Sequence, residues 1–260
     1  YVLRAMLDGE KIRLHLSNLG GQEDVVIPRV YVAPVTQGSD TDESRMLPVT
    51  FGGDFACKMA AGESVESDIV ELPLKRGQDY AVSLYLGDMT LLASGTKDTG
   101  PLCRAFFAEG NFAACSQLDP FYTAPMNIFY FLTGVDALCR EDCHALVCFG
   151  DSITAQSWPD YLMLRVLRDG PENLSVIRRG IGGSRVLRSY QHVLIRHYGQ
   201  KGADRFEREV AAAGADRVIV LHGVNDLIHP DGSLFRPWSD LPTAQELIDG
   251  LRYYVQRGHE

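Results

Sequence analysis

The sequence predicts two domains, an antiparallel β-sandwich over residues 1–140 and a parallel α/β sheet over residues 141–260. Three observations carry this reading. Before about residue 140, short runs of β-forming residues are separated by turn chemistry, with no competing helical periodicity. Beyond it, short, wholly apolar runs alternate with stretches of helical spacing. A length of 260 residues also exceeds what most single cores use.

In the first half, residues 11–16 (KIRLHL) alternate polar and apolar side chains, as a half-buried strand should. Asp8-Gly9 precedes this run, and the glycine pair Gly20-Gly21 lies in the turn after it. Residues 25–27 and 30–32 read as strands on either side of Pro28, and residues 80–86 and 127–132 as two more. Residues 38–45 read as a polar, acidic loop. Many short strands at this spacing indicate a sandwich. In the second half, residues 145–149 (ALVCF), 174–177 and 217–221 are strands. Residues 158–167 and 205–213 are helices, and Thr243 with Glu246 forms a capping box that opens a last helix running toward Arg257. Three strands are few for such a sheet and the chain stops within a helix. The expectation is therefore an α/β domain truncated at its C-terminus.

Composition narrows the function. Asp and Glu number 34 against 25 Lys and Arg, for a formal net charge of -9, which repels phosphate backbones and anionic membrane surfaces. Nucleic acid and membrane are not expected partners. The six cysteines contain no CxxC pair, and Cys143 and Cys148 fall in or beside an apolar run. Free thiols in a reducing cytoplasm are expected, with a disulfide pair as the alternative. The chain opens on Tyr1 without a visible leader, and its true start can lie upstream, so the missing leader decides nothing. No His, Cys, Asp or Glu set has zinc-site spacing, and no metal or cofactor is expected.

In open α/β sheets the ligand crevice lies beyond the carboxyl ends of the strands. Three polar, glycine-bearing segments fall there. In the first, Ser152 follows Gly150 and Asp151 at a turn into a helix, where its oxygen can attack an acyl carbon and its N–H can hold the resulting oxyanion. The alternative is that Asp151 or Ser152 only caps the helix. In the second, Gly180, Gly182 and Gly183 present backbone N–H groups without side-chain obstruction, or form an ordinary loop. In the third, the Asn225 amide can donate into the crevice, or Asn225-Asp226 is a turn.

Taken together, residues 150–154 (GDSIT), 180–183 (GIGG) and 223–226 (GVND) resemble the three blocks of the SGNH hydrolases, also called GDSL-type esterases and lipases. The resemblance covers the chain from about residue 145 and implies a flavodoxin-like parallel-sheet hydrolase domain. It makes Ser152 the nucleophile. The N–H groups of Ser152 and Gly183 and the Asn225 amide become the oxyanion hole, with Gly182 as the alternative to Gly183. The first half, through residues 13–18, 51–53 and 82–85, resembles the β-sandwich that precedes this domain in some bacterial members, where a carbohydrate-binding or lid-like role is expected. Asp151 and Trp158 are expected at the substrate, Trp158 with a helix-start role as the alternative.

A serine hydroxyl needs a base, and the family supplies an Asp-x-x-His pair near the end of its domain, here expected beyond Glu260. One stretch has this spacing, Asp226 to His229, but Asp226 already belongs to the third block and His229 follows too soon. His229 and His222 are otherwise the nearest substitutes. His15 and His144 sit in strands, His192 and His197 on a solvated face, and His259 at the terminus. Arg185 and Arg188 read as surface arginines, with contact to an anionic substrate as the alternative.

The function expected from this resemblance is a serine esterase removing a short acyl group, acetate foremost, from a small-molecule or glycan ester. A lysophospholipase or thioesterase for longer chains is the enzymatic alternative, and an inactive glycan-binding protein the non-enzymatic one.

Overall fold

The structure is a computed structural model that describes every residue except 88–89, 119–123 and 191–195; His192 lies outside the described residues. The chain divides into two compact units, Tyr1–Cys143 with Val166–Asn173, and His144–Arg165 with Leu174–Glu260.

The strands of the first unit pair antiparallel throughout. In the strand Lys11–Ser17, Ile12, Leu14 and Leu16 point inward while Lys11, Arg13 and His15 are partly exposed, the period-two pattern of the sequence. It lies between Leu132–Leu138 and Ser64–Glu66. A second sheet centres on Arg29–Gln37, paired with Asp79–Tyr85 and Leu47–Val49. Leu14 and Leu16 of one sheet and Val30, Val32 and Val82 of the other belong to one buried cluster. The 38–45 stretch is not simply a loop. It holds a short strand, Asp40–Thr41, and a 3-10 turn, Glu43–Arg45, whose start is capped by the Asp42 carboxylate accepting from Ser44 N–H at 3.1 Å.

The expected strand over 127–132 is two strands. Phe131, only 1% exposed, takes φ 63° and breaks the run into Ile128–Tyr130 and Leu132–Leu138, which join different sheets. A bulky side chain there is strained, and hydrogen bonds on both sides hold it: its N–H donates to Ser94 O and its carbonyl accepts from Ser17 N–H. Asp79 is bracketed by Arg4 and Arg104, each at 2.7 Å, and the two guanidinium hydrogen bonds pull its pKa down to about 2 against the opposing effect of burial. A carboxylate depressed in the folded state stabilises above its unfolded pKa and loses that stabilisation as pH falls through its folded value. The first unit is therefore expected to lose about 2 kcal/mol between roughly pH 4 and 2. Thermal melts of wild type and Asp79→Asn across that window check this; parallel pH curves would refute it.

The second unit is a three-stranded parallel sheet among the described residues, β1 (His144–Gly150), β2 (Leu174–Gly180) and β3 (Arg217–Leu221), in the order β2-β1-β3. Its helices are α1 (Trp158–Asp169), whose last residues from Val166 group with the first unit, α2 (Gly202–Phe206), α3 (Val224–Ile228) and α4 (Ala244–His259). The capping box is present, with Thr243 Oγ1 accepting from Glu246 N–H and Glu246 accepting from Thr243 N–H. The predicted helix over 205–213 differs: α2 begins earlier and passes into a π-helical turn, Glu207–Ala211. Phe149 of β1 packs edge-on against Phe206 at 5.4 Å and Tyr254 at 5.6 Å in the core. Because β2 and β3 flank β1 on opposite sides, the crevice at its carboxyl end opens between the loops that follow them. No helix among the described residues is long and apolar enough to cross a membrane, and all six cysteines are free thiols.

Candidate active site

The three strand ends approach one another backbone to backbone, which only glycine permits. A Cβ on Gly150 would lie 2.1 Å from Leu221 O and 2.4 Å from Thr154 Oγ1. On Gly180 it would lie 2.3 Å from Ala155 N. The chain therefore leaves β1 in a tight turn, in which Asp151 O accepts from Thr154 N–H at 3.1 Å and Ala155 N–H at 3.0 Å. The Asp151 carboxylate is 1% exposed and accepts from Ile153 N–H at 2.9 Å. Burial raises its pKa, opposed by that hydrogen bond and by the charge of Arg205. Ser152 is left partly exposed between the buried Asp151 and Thr154.

The expectation that Ser152 sits at a helix start is not met. The turn continues to Ser157, and α1 begins only at Trp158, so the helix dipole is not at the hydroxyl. Trp158 opens that helix, partly buried, with its indole Nε1 closed off from solvent.

In the glycine loop after β2, Ser184 N–H donates to Ile181 O at 3.2 Å, closing a turn in which Gly183 has φ 81°. A side chain there would be strained and would also collide with the Tyr198 ring, 2.1 Å from an ideal Cβ. Gly182 faces Ser152: an ideal Cβ on it would meet Ser152 Cβ at 3.9 Å and nothing nearer.

The segment after β3 is fastened to this loop. Asn225, 3% exposed, donates from Nδ2 to Ser184 O at 2.9 Å. Asp226, 2% exposed, accepts from Val186 N–H at 2.7 Å and Leu187 N–H at 3.0 Å. Burial raises the Asp226 pKa, and those two bonds work against the rise. The carboxylate is thus engaged by backbone, while His229 turns its Nδ1 to the Tyr190 hydroxyl. His222 Nδ1 meets Tyr254 Oη at 3.0 Å. Burial, helped by the Arg205 charge, depresses the His222 pKa from 6.5 to about 4. The unfolded chain takes up this proton before the folded one does, so stability is full above pH 6.5 and falls as pH drops through 4. Melts of wild type and His222→Gln at pH 7 and pH 5 check this, with the wild type expected to lose more.

Two arginines escaped the sequence reading. Arg185 is not on the surface. It is 3% exposed, paired with Asp240 at 2.9 Å and laid over the Tyr190 ring at 4.1 Å. Arg205 is fully buried. The only hint of it was Glu209 one helical turn on, a spacing that usually marks a surface pair. His197 is exposed, as expected, with its ring 4.3 Å from that of Tyr198.

Comparison with known proteins matches residues 148–257 to the model of the GDSL-like lipase/acylhydrolase family. A search of curated proteins finds no match. Among solved structures, the chain is similar to a carbohydrate esterase family 2 enzyme with a carbohydrate-binding domain from Corynascus thermopiles (Myceliophthora fergusii). That likeness has 14% identity and a TM-score of 0.33, over 98% of this chain and 69% of the other. It is similar also to a family two carbohydrate esterase from Clostridium thermocellum in complex with cellohexaose, at 13% identity and a TM-score of 0.31, over 99% and 69%. A further solved chain matches at 18% identity and a TM-score of 0.32, and the overlap spans 54% of its length. The matched segment contains Ser152, Gly182, Gly183 and Asn225 together with β2, β3 and the last three residues of β1. The likeness to the GDSL-like lipase/acylhydrolase family thus rests on residues 148–257, under half of the chain.

Proposed function

We propose that this protein is a serine ester hydrolase that removes a short acyl group, acetyl foremost, from a carbohydrate or similar alcohol through an acyl-serine intermediate. Ser152 Oγ attacks the ester carbonyl, and the oxyanion is received by the N–H groups of Ser152 and Gly183 and the second amide hydrogen of Asn225. The alcohol leaves, and water then attacks the acyl-serine and releases the acid. The observation that supports this reading is the meeting of the second and third segments beside the first: Gly182 faces Ser152, and Asn225 is tied to Ser184. The Ser152 proton must pass to a base. Of the histidines in the segment after β3, His222 hydrogen-bonds to Tyr254 and His229 to Tyr190, and neither is given that role. The preference for a short acyl group and a carbohydrate alcohol follows from the family resemblance alone.

The test treats the protein with a fluorophosphonate and maps the adduct, then compares release from acetate and decanoate esters of one chromogenic alcohol and from an acetylated oligosaccharide. The adduct is expected on Ser152, with acetate released faster than decanoate and release from the oligosaccharide detectable. Faster decanoate cleavage would favour the long-chain reading, and polysaccharide binding without cleavage or labelling would favour a binding protein.

A further inference from the structure

Arg205 heads the fully buried side chains among the described residues when they are ranked by size. Burying a guanidinium is costly, and an apolar residue of similar volume often serves stability as well or better. Its hydrogen bonds indicate what the charge does. Nη1 donates to Gly150 O at 3.0 Å and to Ser184 Oγ at 2.9 Å, and Nη2 donates to Arg179 O at 2.9 Å. Gly150 O ends β1 just ahead of Asp151 and Ser152, and Arg179 O lies next to the end of β2. Ser184 follows Gly183, and its carbonyl receives the Asn225 amide. One planar fork therefore touches every segment that carries a proposed oxyanion donor, two directly and the third through Ser184.

Glu209 completes the arrangement, accepting from Nε at 3.3 Å and Nη2 at 2.9 Å. The Phe149 ring lies beside the guanidinium, 4.8 Å from centroid to carbon. Arg205 and Glu209 face each other across the junction of α2 with the π-helical turn, a rare widening that is frequent at functional sites. Gly150, Gly180, Gly182 and Gly183 have no side chains with which to anchor themselves. Arg205 holds Gly150 directly by its carbonyl and reaches the glycine loop from its two ends, at Arg179 O and Ser184 Oγ.

We propose that Arg205 is a positioning residue of the acyl-transfer site, its guanidinium setting the spacing of the Ser152, Gly183 and Asn225 donors through Gly150 O, Arg179 O and Ser184 Oγ. The inference rests on the function proposed above. An oxyanion hole works by preorganisation, so a displacement that leaves substrate binding intact weakens the transition state selectively. Lysine keeps the charge but cannot span three acceptors in a plane.

The test uses the full chain with Arg205→Lys and Ser184→Ala, the second removing one acceptor of the fork with little change in volume. Two readouts are taken below the melting temperature: kcat and KM on an acetate ester, and the 15N NMR signals of the Ser152 and Gly183 amides and the Asn225 side chain. In Arg205→Lys, kcat is expected to fall about tenfold to a hundredfold with KM nearly unchanged. Ser184→Ala is expected to show a smaller fall of the same kind, and the three donor signals should shift together in both variants. Unchanged kcat and donor signals in folded variants would overturn the proposal, as would an equal loss in KM and kcat/KM. If Arg205→Lys does not fold, Ser184→Ala decides by the same criteria. If the wild type neither cleaves esters nor accepts the phosphonate, the functional reading fails, and the NMR signals alone decide whether Arg205 sets the donors.

Discussion

Replacing Asn225 by alanine is expected to lower turnover on an acetate ester by about a hundredfold or more, equivalent to about 2.7–4 kcal/mol of transition-state stabilisation. From the sequence alone, such a substitution would be expected to spare folding. The structure revises that expectation, because Asn225 is 3% exposed and one of its amide hydrogens already goes to Ser184 O. Alanine leaves that carbonyl without its partner, at a cost of about 1–3 kcal/mol. The melting temperature should therefore fall along with kcat. Asn225→Asp keeps the shape and loses both donors, so it should also lose turnover while placing a carboxylate against a carbonyl. Kinetics and melts on both variants check this, and normal turnover in either would remove Asn225 from the mechanism.

Gly150→Ala is expected to destabilise the second unit by about 3 kcal/mol or more, above the common range for overpacking. The added Cβ would stand 2.1 Å from Leu221 O and 2.4 Å from Thr154 Oγ1. The first obstacle is backbone of β3, which cannot rotate away as a side chain can. Relief requires parting β1 from β3, and Gly150 O is also an acceptor of Arg205. The measurement is chemical denaturation, compared with Gly182→Ala, whose Cβ would meet only Ser152 Cβ at 3.9 Å. Equal stability of Gly150→Ala and wild type would mean that the close approach of the strands relaxes without cost.

Much of the scaffold was legible because it is written locally. Period two in 11–16, the apolar runs that became β1 and β3, and the Thr243–Glu246 box each depend on residues a few positions apart. The turns of the three proposed site segments were legible for a related reason: glycines before a polar residue at a strand end mark a backbone turn whatever lies opposite. The helix over 158–167 was read close to its true bounds, but the helix dipole expected at Ser152 was an error of the same local logic, since the turn winds on to Ser157 before the helix begins. Phe131 broke a continuous β-forming run that no local signal interrupts, because hydrogen bonds to Ser94 and Ser17 outweigh its backbone preference.

By itself, the sequence determined the order of the strand-end segments proposed for the site and the kind of sheet that presents them, because strand period, caps and glycine turns are short-range properties. Tertiary structure decided how those segments are held. Arg205 reaches Gly150 across 55 positions, Asn225 reaches Ser184 across 41, and Asp226 reaches Val186 across 40. A guanidinium on a short helix reads as a surface charge until the fold encloses it. Only then do its directional bonds, in a water-excluded interior, tie Gly150 O, Arg179 O and Ser184 Oγ to one guanidinium.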